Sequence, residues 1–128
     1  MRESISFCLM YLLSLIAACD SSWQPTPLAD GFQIMVMNSQ EAYVANAENE
    51  LILGPRIETI GLASGAIVVN CGSDDVVVNG FKNTVGYNLI DTQTGQVTKG
   101  LTRAAMEQKL LSIHLSMPEM RSLSSYLP

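Results

Sequence analysis

The fold of this chain is decided by two neighbouring segments, Arg56-Ile57-Glu58-Thr59-Ile60-Gly61-Leu62 and Ala66-Ile67-Val68-Val69-Asn70-Cys71. Polar and apolar residues alternate in the first segment, which is typical of a strand with one buried face. The second is almost continuously apolar, as is Val76 to Val78, and such runs indicate strands buried on both faces. We therefore predict central strands of an antiparallel sheet at Ala66 to Cys71 and at Val76 to Val78.

Upstream segments predict further strands. Residues Gly31 to Met37 and Glu41 to Ala45 alternate well enough to form two strands joined near Asn38-Ser39. A third short run, Leu51 to Leu53, ends at Gly54-Pro55. A hairpin followed by a short strand is therefore expected before Arg56.

Two downstream turns are predicted from their residue types. Asn79-Gly80 suits a type I′ turn, because both central positions need a positive φ, and it would link Val76 to Val78 with a short edge near Phe81. Residues Thr84 to Asp91 alternate again, and Asp91-Thr92-Gln93-Thr94-Gly95 would turn the chain into a strand at Gln96 to Thr98. Each turn predicts a hairpin.

The C-terminal quarter predicts helices. Thr102 is a plausible N-cap for a helix from about Arg103 to His114, with Leu101 before it as a hydrophobic staple. Its apolar face would consist of Met106, Leu110 and Ile113. Pro118 would open a short final helix, because its fixed φ suits the first turn, and the apolar residues of that helix would be Met120, Leu123 and Tyr126. The expected fold is α+β, a small antiparallel sheet of about five to seven strands packed by a C-terminal helix.

Length and charge restrict the classes of partner. The chain has 128 residues, within the usual size of one domain, and a formal net charge of −5. A nucleic-acid-binding surface needs clustered cations, whereas the basic residues after position 18 are scattered along the sequence: Arg56, Lys82, Lys99, Arg103, Lys109 and Arg121. We therefore expect no nucleic-acid partner and no purely electrostatic attachment to anionic lipid.

The N-terminus has the three zones of a secretory signal. Met1-Arg2-Glu3 is short and polar, Ile5 to Ala18 is an almost unbroken apolar run, and the small residues Ala17 and Ala18 end it. A spanning helix needs about 20 apolar residues. This run is shorter and is followed by polar Asp20-Ser21-Ser22, so it fits an export signal better.

Residues Leu15-Ile16-Ala17-Ala18-Cys19 resemble the lipobox of bacterial lipoproteins, in which an aliphatic residue and two small residues precede a cysteine. The resemblance implies cleavage after Ala18, attachment of lipid to Cys19 and, by the sorting rule of enteric bacteria, retention in the inner membrane through Asp20. Two or more acyl chains hold a protein stably on a bilayer. The implied organisation is a signal peptide at 1–18, a lipidated cysteine with a flexible tether at 19–29 and one α+β domain at 30–128. The domain itself resembles only uncharacterised small lipoproteins.

Candidate chemical groups are few. Cys71 is a possible reactive thiol, but its apolar surroundings favour a small buried side chain. His114 is read as a capping or surface residue near a helix C-terminus, and a Cys71–His114 pair has no supporting motif. Asp74-Asp75 and Asp91 to Gly95 are read as turns rather than cation sites. Five methionines are expected mainly in the core rather than on an adaptable binding surface: Met35, Met37, Met106, Met117 and Met120.

These observations favour a non-enzymatic lipoprotein that binds another envelope protein, either as an accessory of an envelope complex or as an immunity-type inhibitor of a toxin. An envelope hydrolase with an unrecognised site and a small-ligand carrier are the alternatives. No catalytic residue, metal or cofactor is predicted. Membrane lipid attached through Cys19 and an envelope protein are the expected partners, on the periplasmic side of the cell envelope.

Overall fold

The computed structural model describes residues 25–128, which form three antiparallel sheets and one α-helix. The four-stranded sheet has its strands in chain order: β1 (Thr26–Ala29), β2 (Phe32–Asn38), β3 (Glu41–Ala45) and β4 (Leu51–Leu53). The five-stranded sheet has the order β10 (Val97–Leu101), β9 (Gly86–Asp91), β6 (Ala66–Cys71), β5 (Ile57–Ala63) and β11 (Arg121–Ser122). The remaining elements are β7 (Val77–Val78), β8 (Phe81–Lys82), helix α1 (Arg103–Ser112) and a 3-10 helix at Leu123–Tyr126. The coarse α+β prediction is confirmed.

Strand β6 lies at the centre of the five-stranded sheet, as predicted, with β5 on one side and β9 on the other. Its side chains alternate between two separate clusters. Ile67 and Val69 face the four-stranded sheet, whereas Ala66 and Val68 face the helix. This position explains why the strand is apolar on both faces.

The core between the two large sheets contains side chains from both. Ile34, Val44 and Leu53 from the four-stranded sheet belong to the same buried cluster as Ile60 and Ile67 from the five-stranded sheet. Burial alternates along β2, so the four-stranded sheet packs one face against the face of the five-stranded sheet that carries Ile60 and Ile67. Two such faces packed against each other make a sandwich.

Helix α1 covers the opposite face of the five-stranded sheet. Its N-cap Thr102 accepts a hydrogen bond from the Ala105 amide at 3.1 Å, as predicted. Met106 and Leu110 are buried against Val68 and Leu89, and Leu101 packs on the same cluster. The predicted apolar face is wrong at Ile113, which is 42% exposed, because the helix ends at Ser112.

The prediction of one sheet of five to seven strands packed by a C-terminal helix is wrong. The strands divide at Gly54-Pro55, where Pro55 has no N–H for a sheet ladder and the chain passes from one sheet to the other. The helix is followed by 16 further residues that include β11 and the 3-10 helix. Val76 to Val78 is also not a central strand, because only Val77–Val78 is extended and it pairs with β8 alone.

The short final helix predicted from Pro118 is present only as the 3-10 helix at Leu123–Tyr126, because the residues just before it pair with the edge of β5. Arg121 lies opposite Ile60, and the Tyr126 hydroxyl donates a hydrogen bond to the Ile60 carbonyl at 2.7 Å. Gly61 allows this close approach, because a Cβ there would lie 2.7 Å from both Pro118 Cγ and Met120 Sδ. Long-range packing therefore overrides the local helix signal.

The predicted tether of residues 19–29 extends too far. Its last four residues, Thr26–Ala29, form β1 and pair with β2. Pro27 is tolerated there because β1 is an edge strand and needs no second ladder. The part of the predicted tether before residue 25 lies outside the described residues.

Candidate interaction site

The β7–β8 hairpin forms a sheet of its own beside the two large sheets. Val77 pairs with Lys82 and Val78 pairs with Phe81. The turn residues Asn79 and Gly80 have φ values of 51° and 80°, which confirms the predicted turn with positive φ at both central positions. A hairpin with two-residue strands needs tertiary contacts to hold it in place.

Asn83 provides the first of these contacts, at the base of the hairpin. Its buried Nδ2 donates hydrogen bonds to the carbonyls of Gly72 at 2.9 Å and Asp74 at 2.7 Å. Its Oδ1 accepts a hydrogen bond from the Arg56 amide at 3.1 Å. One side chain therefore ties the hairpin to the loop after β6 and to the residue before β5.

Tyr43 provides the second contact. Its ring meets that of Phe81 edge to face, with centroids 5.3 Å apart and an interplanar angle of 81°. The Tyr43 hydroxyl donates a hydrogen bond to Glu41 Oε1 at 2.7 Å. Burial, followed by that carboxylate, raises the pKa of Tyr43 to about 12. Tyr43 therefore stays a neutral donor across the physiological pH range and fixes the ring on which Phe81 rests.

A surface groove of about 770 Å³ runs along one side of the hairpin. The groove is lined by residues that include Asp75, Phe81, Lys82, Thr84, Val85 and Lys99. Val85 is 42% exposed, and Val77, opposite Lys82 in the hairpin, is 59% exposed. The groove thus combines an exposed valine and a half-buried phenylalanine with two lysines.

A smaller cleft of about 460 Å³ surrounds Arg56. Arg56 Nε lies 3.0 Å from Asp74 Oδ2, and Nη1 donates a hydrogen bond to the Gln40 carbonyl. Both contacts connect loops at this end of the sandwich. Because the guanidinium already has two partners, Arg56 braces the loop that carries Asp74 and is less available to a ligand than an unpaired cation would be.

Cys71 and His114 do not come together. Cys71 belongs to the core between the large sheets and is only 3% exposed, whereas His114 is an exposed residue after helix α1, on the other side of the five-stranded sheet. Burial raises the pKa of the Cys71 thiol to about 12. The interpretation of Cys71 as a small buried side chain is confirmed, and the notional pair is absent from the described part of the chain.

The turn interpretation is confirmed for Asp91 to Gly95, whereas Asp74 and Asp75 lie in an irregular loop between β6 and β7. Asp74 and Asp75 are exposed and pair with Arg56 and Lys82. Asp91 Oδ1 accepts hydrogen bonds from the amides of Gln93 and Thr94 within the β9–β10 turn. Within residues 25–128 no group of three or more His, Cys, Asp or Glu side chains is arranged to hold a metal ion.

The methionines divide between two environments. Met106 of helix α1 is buried against the five-stranded sheet, and Met117 and Met120 pack on the same cluster. Met35 and Met37 are half-buried on β2, where Met37 lines a cavity of about 440 Å³ with Tyr43 and Phe81. None of the five is exposed, so the core interpretation fits them better than an exposed methionine surface.

Ala18, Cys19 and Asp20 lie outside the described residues, as does the predicted signal peptide. No helix in residues 25–128 is both long and apolar enough to cross a bilayer. Comparison of the chain with protein-family models, with curated proteins and with solved structures gave no match.

No pattern in the sequence indicates the residues that build the groove. Asn83 looks like an ordinary turn residue until its partners from three separate segments are known. Lys82 and Lys99 were counted as scattered cations, yet both line the same groove. The only local signal was Asn79-Gly80, which located the hairpin but not the surface beside it.

Proposed function

We propose that this protein is an envelope lipoprotein whose folded part binds another protein, as an accessory of an envelope complex or as an immunity-type inhibitor. The lipobox-like residues before Cys19 support the anchor. The observation that carries protein binding is the exposure of Val85 in a groove that Phe81 also lines, with exposed Val77 on the same hairpin. Exposed apolar side chains are stabilised when a partner covers them.

The shape of the surface favours a protein over an enclosed small ligand. The space between the two large sheets is filled by fully buried side chains such as Ile60, Ile67 and Ile90. The groove of about 770 Å³ lies instead beside the hairpin, at the surface. Interaction surfaces of proteins combine apolar and polar side chains, and both kinds line the groove.

The anchor is tested by replacing the lipidated residue in cells. Cys19→Ser should release the protein from sedimented membranes and lower the mass of the mature product by the mass of its acyl groups. Cys8→Ser is the matched control, because it changes a cysteine inside the predicted signal peptide and should leave the membrane fraction unchanged. Equal sedimentation of the Cys19→Ser and wild-type proteins would reject the anchor.

Protein binding is tested by photo-crosslinking in cells. A photoreactive amino acid at position 85 should give one discrete adduct, because that side chain lines the groove. The same amino acid at position 111 is the control, since Leu111 is an exposed apolar residue on the helix, outside the groove. Adducts of equal yield at both positions, or none at either, would contradict a partner at this surface.

A further inference from the structure

We propose that the hairpin groove takes an acidic, extended segment of the partner protein. This inference rests on the proposed function and names the chemistry of the partner. The groove contains Lys82 and Lys99, two of the six basic residues in the described part of the chain. Of the ten acidic residues in that part, only Asp75 lines the groove. A local excess of positive charge therefore lies on a protein with a net charge of −5.

Both cations are available to a partner. Lys99 makes no ion pair with any residue of 25–128, and it is exposed. Lys82 Nζ lies 3.7 Å from Asp75 Oδ1, but both side chains are about 70% exposed. An ion pair so exposed to water is worth little, so a second carboxylate can compete for Lys82.

Apolar side chains line the same groove as these cations. Phe81 and Val85 line the groove together with Lys82 and Lys99. An extended segment places successive side chains on alternating sides, so carboxylates can reach the lysines while every second residue lies against the apolar floor. The preferred occupant therefore alternates acidic and apolar residues.

An anionic lipid surface is the other occupant that two lysines could attract. Each cation near such a surface contributes only about 1 kcal/mol. In addition, Phe81 is held inward by Tyr43 and does not project as a membrane-inserting side chain would. A concave groove with a half-buried aromatic floor fits a peptide segment better than a bilayer.

The test uses the full chain in neutral detergent and three labelled hexapeptides that alternate leucine with glutamate, glutamine or lysine. Fluorescence anisotropy should show that the glutamate peptide binds at least about tenfold more tightly than the other two, and that its affinity falls as salt is raised. The double variant Lys82→Glu with Lys99→Glu should abolish this preference. Lys109→Glu is the matched control, because Lys109 is exposed on the helix outside the groove and its replacement should leave binding unchanged.

Two results would overturn the inference. One is equal affinity for the glutamate and glutamine peptides, and the other is displacement of the glutamate peptide by short-chain phosphatidylglycerol as readily as by excess peptide. If either occurs while position 85 still crosslinks to a protein, the proposed function stands and only the acidic partner is rejected. If peptide binding and crosslinking both fail, the interaction surface itself is rejected.

Discussion

The Tyr43 and Phe81 rings join the four-stranded sheet to the β7–β8 hairpin, edge to face at 5.3 Å between centroids. This contact crosses from a buried residue of β3 to a half-buried residue of β8. It lies between the groove beside the hairpin and the cavity that contains Met37, since Phe81 lines both. The position of the hairpin, and with it the shape of the groove, depends on this pair.

Replacing Phe81 with alanine should therefore destabilise the protein. Loss of the ring removes half-buried apolar area and the aromatic contact, together about 2 kcal/mol in the free energy of unfolding. Urea denaturation measures this change. Phe81→Leu should lower the free energy of unfolding by less than Phe81→Ala does, because leucine keeps part of the apolar area. Leu111→Ala, at an exposed position of the helix, should change stability little. Equal losses for Phe81→Ala and Leu111→Ala would show that the hairpin is not held by this ring.

Asn83→Ala should destabilise the protein by more than the loss of a single hydrogen bond would. The variant leaves the Arg56 amide and the carbonyls of Gly72 and Asp74 without their partner. A buried polar group that loses its partner costs about 1–3 kcal/mol, so a loss of about 3 kcal/mol is expected when water reaches some of the three. Urea denaturation and amide hydrogen exchange of the loop 72–83 measure the change.

The control for Asn83→Ala is Thr94→Ala, which removes one exposed hydrogen bond from the Gln96 amide. It should change stability by less than about 0.5 kcal/mol. If Asn83→Ala falls within the same range, the side chain does not anchor the hairpin.

The sequence predicted those elements whose signal is local. The apolar run of β6 and the turn residues Asn79-Gly80 both specify their structure within a few positions. The division into two sheets was not predictable, because β2 and β5 show the same alternation whichever sheet they join. The groove was missed for a related reason: its cations come from β8 and β10, which belong to different sheets.

A buried asparagine shows the same limit of prediction from sequence. Asn88 is fully buried in β9, where its Nδ2 donates hydrogen bonds to the carbonyls of Val69, Thr84 and Gly86 and its Oδ1 accepts one from the Gly100 amide. In the sequence it looked like a residue on the polar side of an alternating strand. Its partners come from β6, from β10 and from the residues just before it, so only the tertiary structure shows why a polar residue suits this position.

Gly86 gives a prediction from the same region. Its φ is 96°, and a Cβ would lie 2.9 Å from the Leu101 carbonyl oxygen. Gly95 has a φ of 77° but no atom within 4 Å of its Cβ position. Gly95→Ala should therefore cost about 1 kcal/mol from backbone strain alone, and Gly86→Ala clearly more. Thermal denaturation of the two variants separates the effect of the contact with the Leu101 carbonyl from the effect of the positive φ. Equal melting temperatures would contradict the crowding at Gly86.

Cys71 provides the last prediction, on the reactivity of a thiol. Its pKa is raised from 9.0 to about 12 because the thiolate would be desolvated between the sheets and would face the charge of Glu58. At pH 8 the folded protein should hold roughly a thousandfold less thiolate at this position than an unfolded chain, since each pKa unit is tenfold. The free energy of unfolding keeps the full contribution of the protonated thiol below pH 9. It loses this contribution as the pH rises from 9 towards 12.

Iodoacetamide alkylation at pH 8, followed by mass spectrometry of the peptide that contains Cys71, measures this reactivity without interference from other cysteines. Labelling of the folded protein should be at least about 100-fold slower than labelling in denaturant, because a buried thiol must first be exposed by opening of the core. Leu111→Ala should leave this slow rate nearly unchanged, since it replaces an exposed residue of the helix and should change stability little. Fast labelling of the folded wild-type protein would mean that Cys71 is reachable and would restore it as a candidate reactive thiol.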